Sequence, residues 1–356
     1  MMLRVLRMPR VPRMSRMPRM PRMPRIIVRV AQLAIISVAL ASLTGLIAWH
    51  LPSPSLWALD LFNHLRAHYL LLMLVAALLV GLDRRWRWLL VALLIASIDA
   101  VLIGPLYLGS GRPAGTSDAR LRLLHFNLLS SNTAHSEVVH YLAASGADLL
   151  FLQEVSPSWA ERLQGVPGYQ NLASKPRSDN FGIAILAAEN FKVETLQGVD
   201  LGAEVPALRV DVHLGDELVS ILSVHTLPPV SAEYARRRDL MLRNAAAWAE
   251  RRRRAGALPV IIGDLNATPF SGPLRALVAD GGLVDSARGF GLQPSWPAGA
   301  GVLSVLLAIP IDHALHDPGL TTLGRELGPE LGSDHRPLQI ELMLALALED
   351  GDGDGS

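Results

Sequence analysis

Three apolar runs ahead of residue 110 constrain this chain more than any other feature, because each is long enough to be buried in lipid. They cover residues 26–49, 67–82 and 88–108. A helix crosses bilayer hydrocarbon with about 20 apolar residues, and all three runs approach that length. Trp86, Trp88 and Tyr107 flank the third run as interfacial aromatic residues do. Asp99, inside it, is costly in lipid and is expected to face a neighbouring helix. The first run does not read as a cleaved signal peptide, since two more follow and no small-residue cleavage site ends it. Hydrophobic residues make up 50% of the chain. The excess lies in these runs, so the average combines a membrane part with a soluble part.

Charge placement gives an orientation. Residues 1–25 form an imperfect Met-Pro-Arg repeat with many arginines and no acid. Proline at every third position prevents a helix, so this segment reads as a disordered basic arm lying on anionic lipid. Nucleic-acid binding is the weaker reading of it, since no aromatic residue interleaves the arginines. The short loop at residues 83–87 is basic as well, whereas residues 50–66, read as the first external loop, hold a single Arg. The positive-inside rule puts the arm and the basic loop in the cytoplasm. A three-helix transmembrane domain at 26–108 then leaves everything after it in the periplasm or outside the cell.

Residues 109–118 read as a Gly/Pro/Ser linker, 119–345 as the soluble domain, and 346–356 as an acidic, disordered tail. The tail alternates Asp with Gly like a calcium loop but lacks the closing Glu and a flanking helix. Strands are predicted at 121–126, 148–152, 182–186, 208–212, 218–224, 259–262, 311–315 and 337–342. Helices are predicted at 133–144 with Asn132 as cap, at 231–254, and at 272–279. Arg236 to Arg238 and Arg251 to Arg254 on the second of these read as a solvated outer face. Many short strands with a few covering helices suit a two-sheet α/β sandwich. The absence of cysteine excludes disulfides, thiolate metal sites and a Cys nucleophile.

Polar residues end several of the predicted strands: Phe126-Asn127, Gln153-Glu154, His225-Thr226, Gly263-Asp264-Leu265-Asn266, Ile311-Asp312, and Ser333-Asp334-His335. Such placements let a rigid sheet present a reactive cluster at one rim. Carboxylates, amides and histidines suit a hard divalent cation and a phosphate ester. Each motif alone is an ordinary turn. Together, and in this order, they resemble the endonuclease/exonuclease/phosphatase superfamily, in a membrane-anchored bacterial form. The resemblance spans residues 121–342 and implies a four-layer, deoxyribonuclease-like α/β sandwich.

The resemblance also implies roles. Glu154, Asn127 and Asp334 would surround Mg²⁺ or Mn²⁺. Asp264 would orient or deprotonate the attacking water, and Asn266 would donate to a phosphoryl oxygen. His335, supported by Asp312, would act as donor or general acid, with His225 opposite it. Asn180 would contact phosphate. His125, His140, His213 and His316 read as structural or exposed, and His313 as facing away from Asp312. Where the family often carries a phosphate-clamping Arg, this chain has Glu204, with Arg209 beyond it. The expected substrate is therefore a phosphoester near the bilayer, with lipid-linked phosphate ahead of nucleic acid. An extracytoplasmic nuclease and a catalytically inactive binding module are the alternatives, and no obligate protein partner is evident.

Overall fold

The computed structural model describes residues 23–51, 54–109, 119–299 and 301–346. The basic arm up to residue 22, the linker at 110–118 and the tail beyond 346 lie outside the described residues.

Helix α1 spans Arg25–His50. It is followed by α2, Trp57–Asp60, a 3₁₀ segment Leu61–Leu65, and α3, Arg66–Leu82. Helix α4, Trp86–Ile103, runs on into a 3₁₀ turn, Gly104–Leu106. These make three helical stretches long and apolar enough to cross a membrane: Arg25–His50, Trp57–Leu82 and Trp86–Leu106. Asp99 does face its neighbours. It takes the Arg66 Nη1 at 2.8 Å and the Ser42 hydroxyl at 3.0 Å.

The reading of residues 50–66 as a loop holding a single Arg is corrected. The chain is helical again from Trp57, and Arg66 is fully buried. A carboxylate inside an apolar bundle needs a partner within reach, and Arg66, at the first position of α3, supplies it.

The sandwich follows. Its strands are β1 Arg120–Asn127, β2 Leu149–Gln153, β3 Tyr169–Lys175, β4 Ile183–Ala188, β5 Thr195–Val199 and β6 Ala207–Leu214. They continue with β7 Glu217–Val224, β8 Ala257–Asp264, β9 Val284–Asp285, β10 Asp312–His316, β11 Leu320–Leu327 and β12 Leu338–Leu344. The helices are α5 His135–Ala144, α6 Pro157–Leu163, α7 Ala232–Arg254, α8 Gly272–Asp280 and α9 Val302–Leu307. One sheet has the order β11-β12-β1-β2-β4-β3 and the other β5-β6-β7-β8-β10-β9. Within each sheet one neighbouring pair is parallel, β1 with β2 and β7 with β8, and the other pairings are antiparallel.

Leu123, Phe151, Ile185, Val210, Ile221 and Ile262 fill the space between the sheets. Their alternate neighbours Leu124, Leu150 and Leu152 pack under α5 and α6 on one side, and Leu222 and Ile261 under α7 and α8 on the other. Two buried faces explain why these strands read as continuous apolar runs rather than as alternation. The four layers are those of a deoxyribonuclease-like sandwich.

Two local readings are corrected. Asn132 does not cap α5, whose N-cap position is Ala134. It accepts from the Ala134 N–H and donates to the Leu128 and Leu331 carbonyls, tying two loops together instead. The α7 arginines are not all solvated either. Arg238 is buried between Asp239 and Asp60, and Arg253 binds Asp317 at 2.6 Å. A buried guanidinium is retained only with carboxylate partners, and two of these three, Asp60 and Asp317, lie outside α7, where a reading of that helix alone does not see them.

The apolar helices and the sandwich meet directly. Ile103 and Leu106 pack with Phe270 and Ala287. The Asp60 carboxylate accepts from Ser271 Oγ at 2.7 Å and from Gly272 N at 3.0 Å, at the start of α8.

Candidate active site

Antiparallel pairing of β8 with β10 sets Asp264 directly opposite Asp312. The C-terminal ends of β1, β2, β7 and β8 reach the same rim, where the N-terminal ends of the antiparallel β10 and β12 also start. Asn127, Gln153, Glu154, His225, Asp264, Asp312 and His335 are thereby brought together.

Asp312 sits between two imidazoles. Its Oδ2 meets His335 Nδ1 at 2.8 Å and its Oδ1 meets His125 Nε2 at 2.7 Å. Asn127 is the hub on the other side. Its Nδ2 lies 3.1 Å from Glu154 Oε1, 3.3 Å from Asp264 Oδ2 and 3.4 Å from His335 Nε2. The amide oxygen of Asn127 takes the Leu129 N–H, so its nitrogen, not its oxygen, faces the carboxylates. Asp264 Oδ1 accepts the Asn266 N–H, and Asn266 Nδ2 donates to the Thr226 carbonyl. Ser333 closes the set by linking the Asn127 carbonyl to the His335 N–H.

Backbone strain is concentrated here. Glu154, Asn180 and Asn266 adopt positive φ angles of 55°, 66° and 46°, a sparsely populated region that collects at functional sites. Gly263, at φ 147°, lies so close to β7 that a Cβ would stand 2.0 Å from the Val224 carbonyl oxygen. Only glycine fits, which accounts for its place before Asp264.

Electrostatics separates the titrating groups. Burial disfavours a charge on His335, yet Asp312 and Asp264 beside it raise its pKa to about 10. Burial likewise opposes ionisation of Asp312, but the His335 charge and hydrogen bonds from both histidines hold that carboxyl well below the usual range. Asp264 is pushed up to about 7 by burial, against the pull of His335 and with the Asp312 charge adding. Burial, His335 and His125 bring His225 down to about 3, so it stays neutral. Acid and base are thus pushed apart within one cluster, an arrangement typical of reactive sites.

These groups form the floor of a cavity of about 630 Å³, large enough for a small-molecule headgroup. Glu154, Asn180, His225, Asp264, Asn266, Asp334 and His335 line it. So do Leu61, His64 and Leu65 from the second apolar helical stretch, with Pro228, Val230, Trp296 and Ile309. Among the described residues, no Lys or Arg lines it.

The sequence model of the Endonuclease/Exonuclease/phosphatase family matches residues 124–335, more than half of the chain. The chain belongs to that family. Its members are hydrolases acting on phosphoester bonds, and the matched span of the family begins on β1 and closes on His335. No curated protein matches the chain. Among solved structures, D. rerio TDP2 complexed with single strand DNA product superposes with a TM-score of 0.51 at 17% identity, over 63% of this chain and 99% of that one. An endonuclease/exonuclease/phosphatase from Beutenbergia cavernae gives 0.51 at 18% identity, over 64% and 72%. The human Nocturnin catalytic domain with bound sulfate gives 0.50 at 17% identity, over 66% and 97%. At such identities these likenesses establish the shared fold alone.

All nine residues singled out in the sequence stand at this rim or line its cavity. Asp334 Oδ2 accepts from Trp296 Nε1 at 3.0 Å, while its Oδ1 is buried without a hydrogen-bond partner. Arg209 pairs with Asp211 and Glu204 is exposed, so neither contributes a clamp. As expected, His313 faces away from Asp312 and bonds the Ala267 carbonyl.

His125, read as structural or exposed, is buried and bound to Asp312 within the cluster. It lies two residues before Asn127 on β1, and the period-2 alternation of a strand puts both on one face, a signal that could have found it. Gln153, noted in the sequence only as a strand end without a role of its own, joins the two sheets: its Oε1 accepts the Asp264 N–H at 3.0 Å and its Nε2 donates to the Val224 carbonyl at 2.9 Å. His64, Leu61 and Leu65 carry no sequence signal for this site, because residues 50–66 read as a loop between two spans and nothing in them marks contact with the sandwich.

Proposed function

We propose that this protein is a membrane-anchored, divalent-metal-dependent phosphoesterase whose cavity faces outward and takes lipid-linked phosphate. The observation that carries the hydrolytic reading is Asp312 held between two histidines, with Asp264 and Asn127 across the same floor.

The donors present fit a hard cation. Asp264, Asp312 and His335 each bring a ligand atom within 4.8 Å of the others, but both Asp312 oxygens are already bound to imidazoles. The free buried Oδ1 of Asp334 and the cavity-facing Glu154 are the better pair; Asn127, expected beside the metal, has its oxygen taken by the Leu129 N–H and instead orients Glu154 and Asp264 through its nitrogen. Mg²⁺ or Mn²⁺, when bound, supplies neutralisation of phosphate charge and stabilisation of the leaving oxygen. The protein's own groups supply the rest. Asp264 accepts the proton of the attacking water, and the second amide hydrogen of Asn266 is available to a phosphoryl oxygen. His335, an imidazolium held by Asp312, donates to the phosphoryl group or to the leaving oxygen. Neutral His225 provides an N–H donor rather than a proton source, and Asn180 contacts phosphate at the cavity edge.

Apolar residues from the membrane stretch in the cavity wall favour a lipid-linked ester. A lining without Lys or Arg weighs against a polynucleotide, whose backbone is normally met by cations. The nuclease alternative rests on relatives such as the TDP2 structure with its DNA product. The arginine-rich segments support an inward N-terminus and an external sandwich, and a C-terminal alkaline phosphatase fusion active in intact cells tests this.

For the activity, the full chain is purified in detergent and given bis-p-nitrophenyl phosphate, plasmid DNA or an isoprenoid pyrophosphate with Mg²⁺. Hydrolysis lost with EDTA, and in Asp264→Asn and His335→Ala, is the expected result. Turnover that persists in EDTA, or variants as active as the parent, would refute the metal mechanism. Plasmid cleavage without action on lipid phosphate would make it a nuclease.

A further inference from the structure

Water-facing surfaces rarely gather large apolar side chains, yet α9 is made of them. Val302, Leu303, Val305, Leu306 and Leu307 are between 52% and 74% exposed, and no residue of this helix is buried. The surrounding segment 297–308 carries no charged residue. Val230, 73% exposed, is the other strongly exposed apolar side chain among the described residues of the sandwich.

The position of α9 says what covers it. The segment leaves the sandwich between Trp296 and Ile309, which are bridged to each other as neighbouring backbone partners. Both line the active-site cavity, as do Val230, Leu61 and Leu65. Leu61 and Leu65 belong to an apolar stretch, Trp57–Leu82, long enough to cross a bilayer. The segment that carries α9 and the membrane stretch therefore border the same cavity. An uncharged helix with five of six residues large and apolar, exposed beside helices long enough to span a bilayer, marks a membrane contact rather than a water-facing surface.

We propose that α9 and Val230 insert into the bilayer beside the spans, so that the active-site mouth opens onto lipid and admits the phosphate end of an amphiphile laterally. The last clause rests on the phosphoesterase reading; the insertion does not.

The chain has no cysteine, so Val305→Cys carries a single environment-sensitive nitrobenzoxadiazole label on the full-length protein. In phosphatidylcholine/phosphatidylglycerol vesicles, quenching of at least twofold by doxyl-phosphatidylcholine is expected, with little quenching by iodide. The double variant Leu303→Asp/Leu306→Asp should reverse both. Iodide quenching without lipid quenching overturns the insertion. So does shielding from both quenchers, the result of two copies packing through α9.

A kinetic arm uses the same vesicles carrying an isoprenoid pyrophosphate, beside bis-p-nitrophenyl phosphate in solution. The double variant should lower hydrolysis of the vesicle-borne ester at least tenfold and leave the soluble ester unchanged. Equal effects on both, or wild-type protein that cleaves only the soluble ester, overturns lateral entry. Wild-type protein that cleaves neither sinks the phosphoesterase reading, while the fluorescence result still decides the insertion.

Discussion

Gln153 holds Asp264 from the opposite sheet: its side-chain oxygen accepts the Asp264 N–H at 3.0 Å, while its amide donates to the Val224 carbonyl at 2.9 Å. One side chain therefore bridges the two sheets at the reactive rim. Gln153→Met keeps the volume and removes both bonds, leaving a buried N–H and a buried carbonyl unpaired. A loss of about 1–3 kcal/mol in urea unfolding is expected, with kcat reduced more than KM is raised. Unchanged kcat in a folded variant would show that Gln153 does not position Asp264.

Gly263→Ala tests the close approach of β8 to β7. Its Cβ would meet the Val224 oxygen at 2.0 Å at a φ of 147°. The expected penalty is about 3 kcal/mol or more, seen as a fall in melting temperature with loss of turnover. A variant as stable as the parent would mean that the strands separate freely here.

Asp312→Asn should change the pH dependence of stability. His335 has its pKa raised from 6.5 to about 10, with Asp312 the leading favourable cause. A folded-state pKa above the unfolded value contributes stability that is full below about 6.5 and is lost as pH rises through about 10. The parent should therefore lose stability to urea between about pH 7 and 10, and Asp312→Asn should flatten that slope while lowering turnover. An identical slope in both proteins would remove the His335–Asp312 pair as its origin.

Asp264 has the opposite sense for a carboxylate. Burial raises its pKa from 3.8 to about 7, so the folded protein holds a proton that the unfolded chain releases, and stability falls as pH rises through that window. In EDTA, Asp264→Asn should melt higher than the parent at pH 8 and equally at pH 4 or below. A lower melting temperature for the variant at pH 8 would contradict the buried-carboxylate argument.

Asp60→Ala tests the joint between the apolar helices and the sandwich. The carboxylate serves Ser271 Oγ, Gly272 N and, at 3.7 Å, Arg238. Removing one partner of a buried ion pair costs about 3–5 kcal/mol. Faster proteolysis around α8 is the expected readout, and an unchanged digestion pattern would show the joint to be dispensable.

Eight strands were legible as apolar runs because each lies inside a sheet with both faces covered. The four that were missed, β3, β5, β9 and β11, are the four sheet edges. Edge strands bury less, as the mostly unburied residues of β3 and β5 show, so their sequences lack the signal. Likewise α6 was passed over, although Ser156 followed by Pro157 is a start signal and the Ser156 hydroxyl does cap it.

By itself the sequence determined the three apolar stretches, the central strands and the polar residues that end them. These are local properties, set by hydrophobic runs and turn chemistry. The tertiary structure decided which side chains meet. Antiparallel β8 and β10 set Asp264 against Asp312; β1 adds His125; the second apolar stretch adds Leu61, His64 and Leu65. Such contacts join residues far apart in the chain, where spacing carries no information and the packing of two sheets and a helical bundle supplies all of it.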